Sequence, residues 1–304
     1  MVDICIVIPT YRRPALLART LASCLAQQGV AMPFEVIVVD NDAAGSARPT
    51  VEAAAARGIV PVRYVGESRP GISHARNTGI VNAAGRYVVF IDDDEEAEPG
   101  WLAAFLDTAQ RFSADVVIGP VLPRFPPDAG EADAYRRKVY TRDACLPTGT
   151  VLPRWSGIGN TLLDKARCFG DTAEPFDPRL GLSGGEDALF LRGLMRRGCR
   201  VVWCAEAIAW EAIPPDRLDT RYLLRRAFRG AQTTTFVCTA IRPRELKQAA
   251  LWMAIGCAQA ALYGPAALLL RAIKHERWLT IADKAVGGLG KVFWHPKMHL
   301  RMYR

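Results

Sequence analysis

The stretch Val88-Val89-Phe90-Ile91-Asp92-Asp93-Asp94-Glu95-Glu96 decides the fold of this chain. Its first four residues are apolar and either β-branched or aromatic, which is typical of a strand buried in a parallel sheet. Five consecutive acids follow, so they would stand at the carboxyl end of the strand, where open α/β sheets bind ligands. The stretch therefore predicts an α/β sheet with an acidic site at one edge.

Two interpretations of the acids are open on residue types alone. Carboxylates packed this closely repel one another and take up protons unless a cation lies between them. Mg²⁺ or Mn²⁺ would suit, because such ions take oxygen ligands from a few carboxylates and from a diphosphate. The alternative is a solvated acidic turn that precedes the helix starting near Pro99.

Similar apolar runs, each followed by a helical pattern, occupy the first 118 residues. Strands are predicted at 4–8, 34–39, 60–65, 87–91 and 115–118, with helices from Pro14 and over 50–57, 71–84 and 99–112. This alternation predicts a doubly wound, mostly parallel sheet with right-handed connections. Asp40 follows the second strand, so it would share an edge with the acid run, although it could instead cap the loop Asp40-Asn41-Asp42.

Two later segments carry further hypotheses. The stretch from Pro120 to Pro153 is rich in Pro, Asp, Arg and Gly, and predicts a long crossing dominated by loops. Glu186 and Asp187 follow Ser183-Gly184-Gly185, where a glycine-rich loop meets a helix predicted to run to Arg197. A carboxylate in that position either caps the helix or acts as a general base toward a sugar hydroxyl.

The charge is divided unevenly along the 304 residues. Residues 217–304 contain 16 basic and 4 acidic side chains, whereas residues 1–216 contain 23 and 27. A basic tail favours an anionic partner surface, either a membrane or a nucleic acid. Its basic residues flank a long apolar segment and no nucleic-acid-binding motif occurs, so we expect a membrane surface and no nucleic acid.

The apolar segment is Ala249–Leu270, which has 22 residues without a formal charge. Its length could cross a hydrocarbon core, but Gly264-Pro265 interrupts it and both flanks are basic. We therefore predict a helical hairpin or an interfacial helix pair on anionic lipid, with a true span as the second possibility and a buried core helix as the third. The domains predicted are 1–220, catalytic, and 221–304, helical and membrane-associated.

The cysteines and the N-terminus indicate a cytoplasmic protein. The 8 cysteines are scattered without a CxxC pair, which is typical of buried thiols in a reducing compartment. Met1-Val2-Asp3 leads directly into the first predicted strand, with no pattern of a secretory signal. Together with the basic tail, these features predict the cytoplasmic face of the inner (plasma) membrane.

Five short motifs, in this order, resemble a family-two glycosyltransferase of the GT-A fold. They are Ile8-Pro9-Thr10-Tyr11-Arg12-Arg13, Val39-Asp40-Asn41, Gly71 with Ala75-Arg76-Asn77-Thr78-Gly79, Ile91-Asp92-Asp93-Asp94 and Gly185-Glu186-Asp187. The resemblance covers about residues 3–230. The stretch 211–218 is further similar to bacterial exopolysaccharide glycosyltransferases of the succinoglycan-biosynthesis type.

The resemblance implies transfer of a sugar from a nucleotide-diphospho-sugar, usually a UDP-sugar, to a saccharide or lipid-linked acceptor in exopolysaccharide or cell-surface glycan synthesis. Asp94 and Asp92 would hold Mg²⁺ or Mn²⁺, with Asp94 as the direct ligand. Asp187 would be the catalytic base, and Glu186 would position the acceptor or the base. The donor-binding residues implied are Pro9, Thr10, Tyr11, Arg13, Asp40, Arg76, Asp92 and Asp93.

One departure and two alternatives accompany the resemblance. Many family members place a histidine after the base helix, where this chain has Glu211. A single carboxylate base suits one displacement, which inverts the anomeric centre. The alternatives are a non-catalytic GT-A-like membrane scaffold and a sugar-phosphate nucleotidyltransferase, although the latter would need a glycine-rich loop where Pro9–Arg13 stands.

Overall fold

The computed structural model describes residues 2–126, 134–155, 157–170, 172 and 174–300. Its strands are β1 (Ile4–Thr10), β2 (Phe34–Asp40), β3 (Val62–Gly66), β4 (Tyr87–Phe90), β5 (Glu95–Ala97), β6 (Val116–Ile118), β7 (Val121–Arg124), β8 (Thr161–Asp164), β9 (Val201–Trp203) and β10 (Ala209–Ala212). Its α-helices are α1 (Pro14–Leu25), α2 (Arg48–Ala55), α3 (Ile72–Asn82), α4 (Trp101–Arg111), α5 (Ala134–Tyr140), α6 (Lys165–Phe169), α7 (Glu186–Arg196), α8 (Thr220–Ala240), α9 (Leu246–Ala272) and α10 (Trp278–Val292).

The chain forms two compact units. The first comprises Met1–Arg124, Tyr140–Gly181 and Gly193–Ala212, and it contains all of the strands named above. The second comprises Phe125–Val139, Leu182–Arg192 and Ile213–Arg304, and it is helical in its described part.

The main sheet of the first unit has the strand order β3-β2-β1-β4-β8-β6-β9. Strands β3, β2, β1 and β4 are mutually parallel, whereas β8 runs antiparallel to β4 and β6. The core packs one face of this sheet against α1 and α4, with Leu17, Leu21, Trp101 and Phe105 fully or almost fully buried. The predicted mostly parallel α/β sheet is confirmed, with β8 as a reversed strand in its middle.

Strand β1 continues two residues past its predicted end at Ile8. Pro9 and Thr10 pair with Val39 and Asp40 of β2, although pairing with β4 stops at Val7. Proline has no backbone N–H, so it fits a strand only where one side of the ladder has ended. Pro9 meets that condition and does not terminate the strand.

The acid run is divided between a turn and the start of a strand. Asp93 and Asp94 form a turn, and Glu95 begins β5, which belongs to a second sheet with the order β5-β10-β7. Glu95 and Ala97 are buried while Glu96 is partly exposed, which is the period-2 pattern of a strand. The crossing predicted between Pro120 and Pro153 contains β7 and α5, and loops make up most of the rest of its described part; residues 127–133 lie outside the described residues.

Helix α9 is continuous, so the break predicted at Gly264-Pro265 is wrong. A proline costs one backbone hydrogen bond in a helix, and the Ala- and Leu-rich flanks favour continuation on both sides. The chain turns back only after Ala272, and α10 then packs along α9. An antiparallel helix pair does form, but from α9 and α10 and not within residues 249–270.

Helix α9 has the length and composition of a membrane helix. Its 27 residues would extend ~40 Å, more than a hydrocarbon core of about 30 Å. It meets this test by length and composition alone, and only 11% of its most apolar window is buried. Its large exposed side chains include Leu251, Leu262, Leu268 and Leu269. Much of this apolar surface is therefore uncovered within the described chain.

Small residues let α10 approach both neighbouring helices. A Cβ added at Gly288 would lie 2.6 Å from the carbonyl oxygen of Gly256 on α9. A Cβ added at Gly290 would lie 2.2 Å from the carbonyl oxygen of Phe228 on α8. Since real Cβ contacts are longer than either distance, the observed helix separations require glycine at these two positions.

We predict that Gly290→Ala lowers the free energy of unfolding by about 1–3 kcal/mol, because α8 and α10 must separate to admit the methyl group. Gly287→Ala on the same helix is the matched control, since its added Cβ would meet only Ala231 Cβ at 3.9 Å. Helix propensity alone should make that control stabilising by up to about 1 kcal/mol. Denaturant unfolding of the full chain in mild detergent measures both, and equal effects would contradict this packing.

Candidate active site

The candidate site lies at one edge of the main sheet. Strands β2, β1 and β4 are adjacent and parallel, so their carboxyl ends meet at the same edge. Thr10 at the end of β1 is paired in register with Asp40 at the end of β2. The acid run leaves β4 on the other side of β1. The sheet therefore brings Thr10, Asp40 and the acid run to one edge.

Thr10 and Arg13 hold the middle of the acid run. The Thr10 hydroxyl donates to Asp93 Oδ2 at 2.7 Å. Arg13 Nη1 lies 3.1 Å from Asp93 Oδ1 and 3.1 Å from Asp94 Oδ2, so one guanidinium group contacts both carboxylates. Burial raises the pKa of Asp93, and the contacts with Arg13 and Thr10 offset part of that rise. Thr10 and Arg13 are both among the residues that the sequence predicted to bind the nucleotide-sugar.

A second arginine balances the next acid. Arg142 Nη2 lies 2.6 Å from Glu95 Oε1 and 3.2 Å from Glu211 Oε2. Glu95 and Glu211 are cross-strand partners on β5 and β10, which explains why one guanidinium group reaches both. Burial raises the pKa of Glu95 well above its ordinary value, and Arg142 opposes that rise. Glu211 thus shares the Arg142 guanidinium group with Glu95.

Asp92 is the most accessible of the three aspartates. Its side chain is 29% exposed, compared with 8% for Asp93 and 9% for Asp94. The nearest cation is Arg76, whose Nη2 lies 3.5 Å from Asp92 Oδ1, a longer contact than those made by Arg13. The Arg76 guanidinium also lies over the ring of Phe176, 5.6 Å from its centroid. Asp92 therefore keeps carboxylate oxygen accessible at the sheet edge.

Gly159 determines how closely the backbone can approach Asp92. A Cβ added at Gly159 would lie 2.6 Å from Asp92 Oδ2 and 3.0 Å from Glu95 Oε1. The neighbouring Asn160 fixes this segment, because its side-chain amide donates to the carbonyl oxygens of Pro120 and Ala207, each at 2.8 Å. The glycine at position 159 thus leaves room for the carboxylate.

The aspartates suit a cation whose remaining ligands come from substrate phosphates and water. Within the described residues, no group of three or more His, Cys, Asp or Glu side chains could hold a metal ion. Mg²⁺ is commonly bound by one or two carboxylates, with the other ligands from substrate phosphates and water. Asp92 and Asp94 match that donor set. Arg13 and Arg142 also supply positive charge to the acid run.

Asp40 is occupied by local contacts. Its carboxylate accepts hydrogen bonds from the backbone N–H of Asp42 at 3.0 Å and of Ala47 at 2.8 Å, and from the Tyr64 hydroxyl at 3.2 Å. The residue is completely buried. This geometry favours the loop-capping interpretation of Asp40. By contrast, Tyr11 at the end of β1 is 40% exposed, so its ring is accessible to a ligand.

The predicted catalytic acids lie in the second unit, at the start of α7. Gly184 and Gly185 precede them with φ of +74° and +93°, a backbone conformation that favours glycine. Arg229 Nε on α8 donates to the Ser183 carbonyl oxygen at 2.6 Å and holds this loop. Helix α7 begins at Glu186, so the predicted junction of a glycine-rich loop and a helix is present. Glu186 is buried and Asp187 is partly exposed.

Sequence reasoning missed Arg142 and Tyr64. Arg142 comes from the segment predicted to be a loop, where no motif marks it. Its position follows from an antiparallel bridge between Arg142 and Val121, which depends on the second sheet. The density of acids indicates that some basic residues must lie near them. The sequence alone does not show which of the 39 basic residues do so.

Comparisons with known proteins support a single family. The family model described as "Glycosyl transferase family 2" matches residues 5–171. Succinoglycan biosynthesis protein ExoM of Rhizobium meliloti is 35% identical over 234 residues, which are 74% of this chain and 71% of that protein. Hyaluronan synthase of Pasteurella multocida is 31% identical over 121 residues, 39% of this chain but 12% of that protein.

Solved structures confirm the predicted GT-A fold. A mannosyltransferase from Pyrobaculum calidifontis, in complex with GDP-Man and Mn²⁺, has a TM-score of 0.57 and 21% identity, covering 96% of this chain and 87% of that one. S. aureus TarS 1-349, in complex with UDP, has a TM-score of 0.56 and 16% identity, covering 95% and 90%. At these identities the likeness shows the fold alone. The family match spans more than half of the chain, and this protein is therefore a glycosyltransferase that belongs to glycosyl transferase family 2.

Proposed function

We propose that this enzyme transfers a sugar from a nucleotide-diphospho-sugar, in the first instance a UDP-sugar, to a saccharide or lipid-linked acceptor in exopolysaccharide or cell-surface glycan synthesis. The observation that carries the proposal is the accessible Asp92 carboxylate at the carboxyl end of β4, beside acids that arginines already balance. A relative named for succinoglycan biosynthesis supports the product class, and structures with UDP and GDP-Man support the donor class. Family membership favours this reaction over the scaffold and nucleotidyltransferase alternatives.

Asp92 and Asp94 would hold the metal of this reaction. A divalent cation bound there supplies positive charge beside the departing nucleoside diphosphate. Arg76 orients Asp92 through its contact with Oδ1, and Arg13 orients Asp94 through Oδ2. Tyr11, exposed at the end of β1, offers a ring surface to the nucleobase.

Asp187 would take the proton from the attacking acceptor hydroxyl. It is partly exposed in the first turn of α7. The ordered loop through Gly184 and Gly185 gives the base a rigid support. Glu186, buried next to it, would position the base or the acceptor. One base and one displacement give inversion at the anomeric carbon.

We further infer that α9 and α10 attach the enzyme to the cytoplasmic face of the plasma membrane. Helix α9 exposes apolar side chains along its length, and the uncharged stretch within it is flanked by Lys247 and Arg271. Because basic residues favour the cytoplasmic side, two basic flanks suit a helix that lies in the interface better than one that crosses it.

We expect Asp187→Asn to lower sugar transfer by about 100-fold or more, because general base catalysis contributes about 10²–10⁴-fold. Donor binding should persist, since the substitution keeps the shape of the side chain. The measurement is release of nucleoside diphosphate from a panel of sugar nucleotides with Mg²⁺ or Mn²⁺, beside thermal stabilisation by UDP. Asp107→Asn, exposed on α4, is the control, and normal turnover by Asp187→Asn would remove Asp187 as the base.

A second expectation concerns Gly159→Ala. The added methyl group would push the Asp92 carboxylate away, and a displacement of ~1 Å at a catalytic group can lower the rate by about 100-fold. The melting temperature should change little relative to Gly100→Ala, whose Cβ would meet nothing within 4 Å. Unchanged kcat in Gly159→Ala, measured with saturating metal and donor, would show that the position of Asp92 does not matter.

A further inference from the structure

A cavity in the second unit has the chemistry of a site for an amphiphilic anion. Its volume is about 630 Å³, and residues of α8, α10 and the last turn of α9 line it. Three arginines reach it: Arg221 and Arg225 from α8, and Arg271 from α9. None of the donor-binding or catalytic candidates lies in its wall. The cavity therefore shares no lining residue with the sites proposed above for sugar transfer.

The arginines of the cavity lack acidic partners. Within the described residues, no carboxylate forms an ion pair with Arg221, Arg225 or Arg271. One acid, Asp219, does line the cavity, but its Oδ1 accepts from the backbone N–H of Arg221 at 2.7 Å and of Tyr222 at 3.3 Å. Its carboxylate is thus engaged in capping α8, and the cavity keeps an excess of positive charge.

The placement of two of these arginines is unfavourable without an anion. Arg221 and Arg225 are four residues apart, so they lie on the same face of α8 and repel each other. Arg221 also lies in the first turn of the helix, where the helix dipole disfavours positive charge. A bound anion would offset the repulsion between the two arginines, because it would interact with both guanidinium groups.

The remaining wall of the cavity is apolar. Leu224 and Phe228 of α8 face it, together with Trp278 and Val286 of α10. The Arg271 guanidinium group lies over the Trp278 ring, 5.3 Å from the ring centroid. Such a wall favours a ligand with a hydrocarbon part next to its charge, and it disfavours a fully hydrated ion.

The position of the cavity along α9 identifies the ligand class. Arg271 follows the uncharged stretch 249–270 directly, so the cavity stands where apolar surface gives way to basic surface. With α9 lying in the interface, as proposed above, Arg271 and Trp278 are at the level of the headgroups, where Trp and Arg side chains concentrate. We propose that the cavity binds an anionic phospholipid, with its phosphate on the three arginines and the first part of an acyl chain against Leu224, Phe228 and Trp278.

The proposal rests on the membrane attachment proposed above, but its test does not depend on sugar transfer. Full-length protein in a neutral detergent is titrated with dioctanoyl phosphatidylglycerol, and binding is followed by native mass spectrometry and thermal stabilisation. Dioctanoyl phosphatidylcholine tests the requirement for net negative charge, and glycerol 3-phosphate tests the requirement for the acyl chains. We expect phosphatidylglycerol to bind about tenfold more tightly than either, since charge and apolar contact both contribute.

The matched variants separate the cavity from general basic charge. Arg225→Gln/Arg271→Gln should weaken phosphatidylglycerol binding by about tenfold. Arg244→Gln/Arg277→Gln removes the same charge from exposed positions outside the cavity, and should change binding by less than about twofold. Equal losses in the two variants would overturn the proposal, as would equal binding of glycerol 3-phosphate or no binding by the wild type. A protein that binds the lipid but releases no nucleoside diphosphate would refute only the proposed catalytic function.

Discussion

Arg13 and Arg142 place fixed positive charge within hydrogen-bond distance of four carboxylates, three in the acid run after β4 and one on β10. Without these arginines, desolvation and mutual repulsion would favour protonation of the acids still more strongly. Each guanidinium group contacts two acids, which suits its planar set of donors. Asp92 stands apart from both, since its nearest cation, Arg76, is at 3.5 Å. The site thus combines four acids that contact Arg13 or Arg142 with one more accessible acid, Asp92.

The second sheet positions the acids that follow β4 of the first sheet. Strand β5 carries Glu95 away from the turn at Asp93 and Asp94, and β10 brings Glu211 beside it. The backbone N–H of Ala212 on β10 donates to the Asp94 carbonyl oxygen at 2.8 Å, so the small sheet also fixes the turn. The geometry of the acids is therefore set by strand pairing across distant parts of the sequence.

The sequence predicted the features that depend on local pattern. Apolar runs located β1, β2 and β4, and Pro14 marked the start of α1, because burial on both faces and first-turn proline leave clear signatures. Features that depend on distant partners were missed. Arg142 has no local signal, since its role arises from a bridge to Val121. Pro265 suggested a break in α9, but the favourable helix-forming flanks and packing with α10 keep the helix continuous.

We infer that Asp92 and Asp94 bind a cation only in company with the donor diphosphate, because Arg76 and Arg13 already offset part of their charge. Titration of Mn²⁺ with and without UDP, followed by electron paramagnetic resonance of free Mn²⁺, tests it most directly. We expect weak binding to the protein alone, binding tighter by about tenfold or more when UDP is present, and loss of that gain in Asp92→Asn. Equally tight Mn²⁺ binding without UDP, or an unchanged gain in Asp92→Asn, would contradict it.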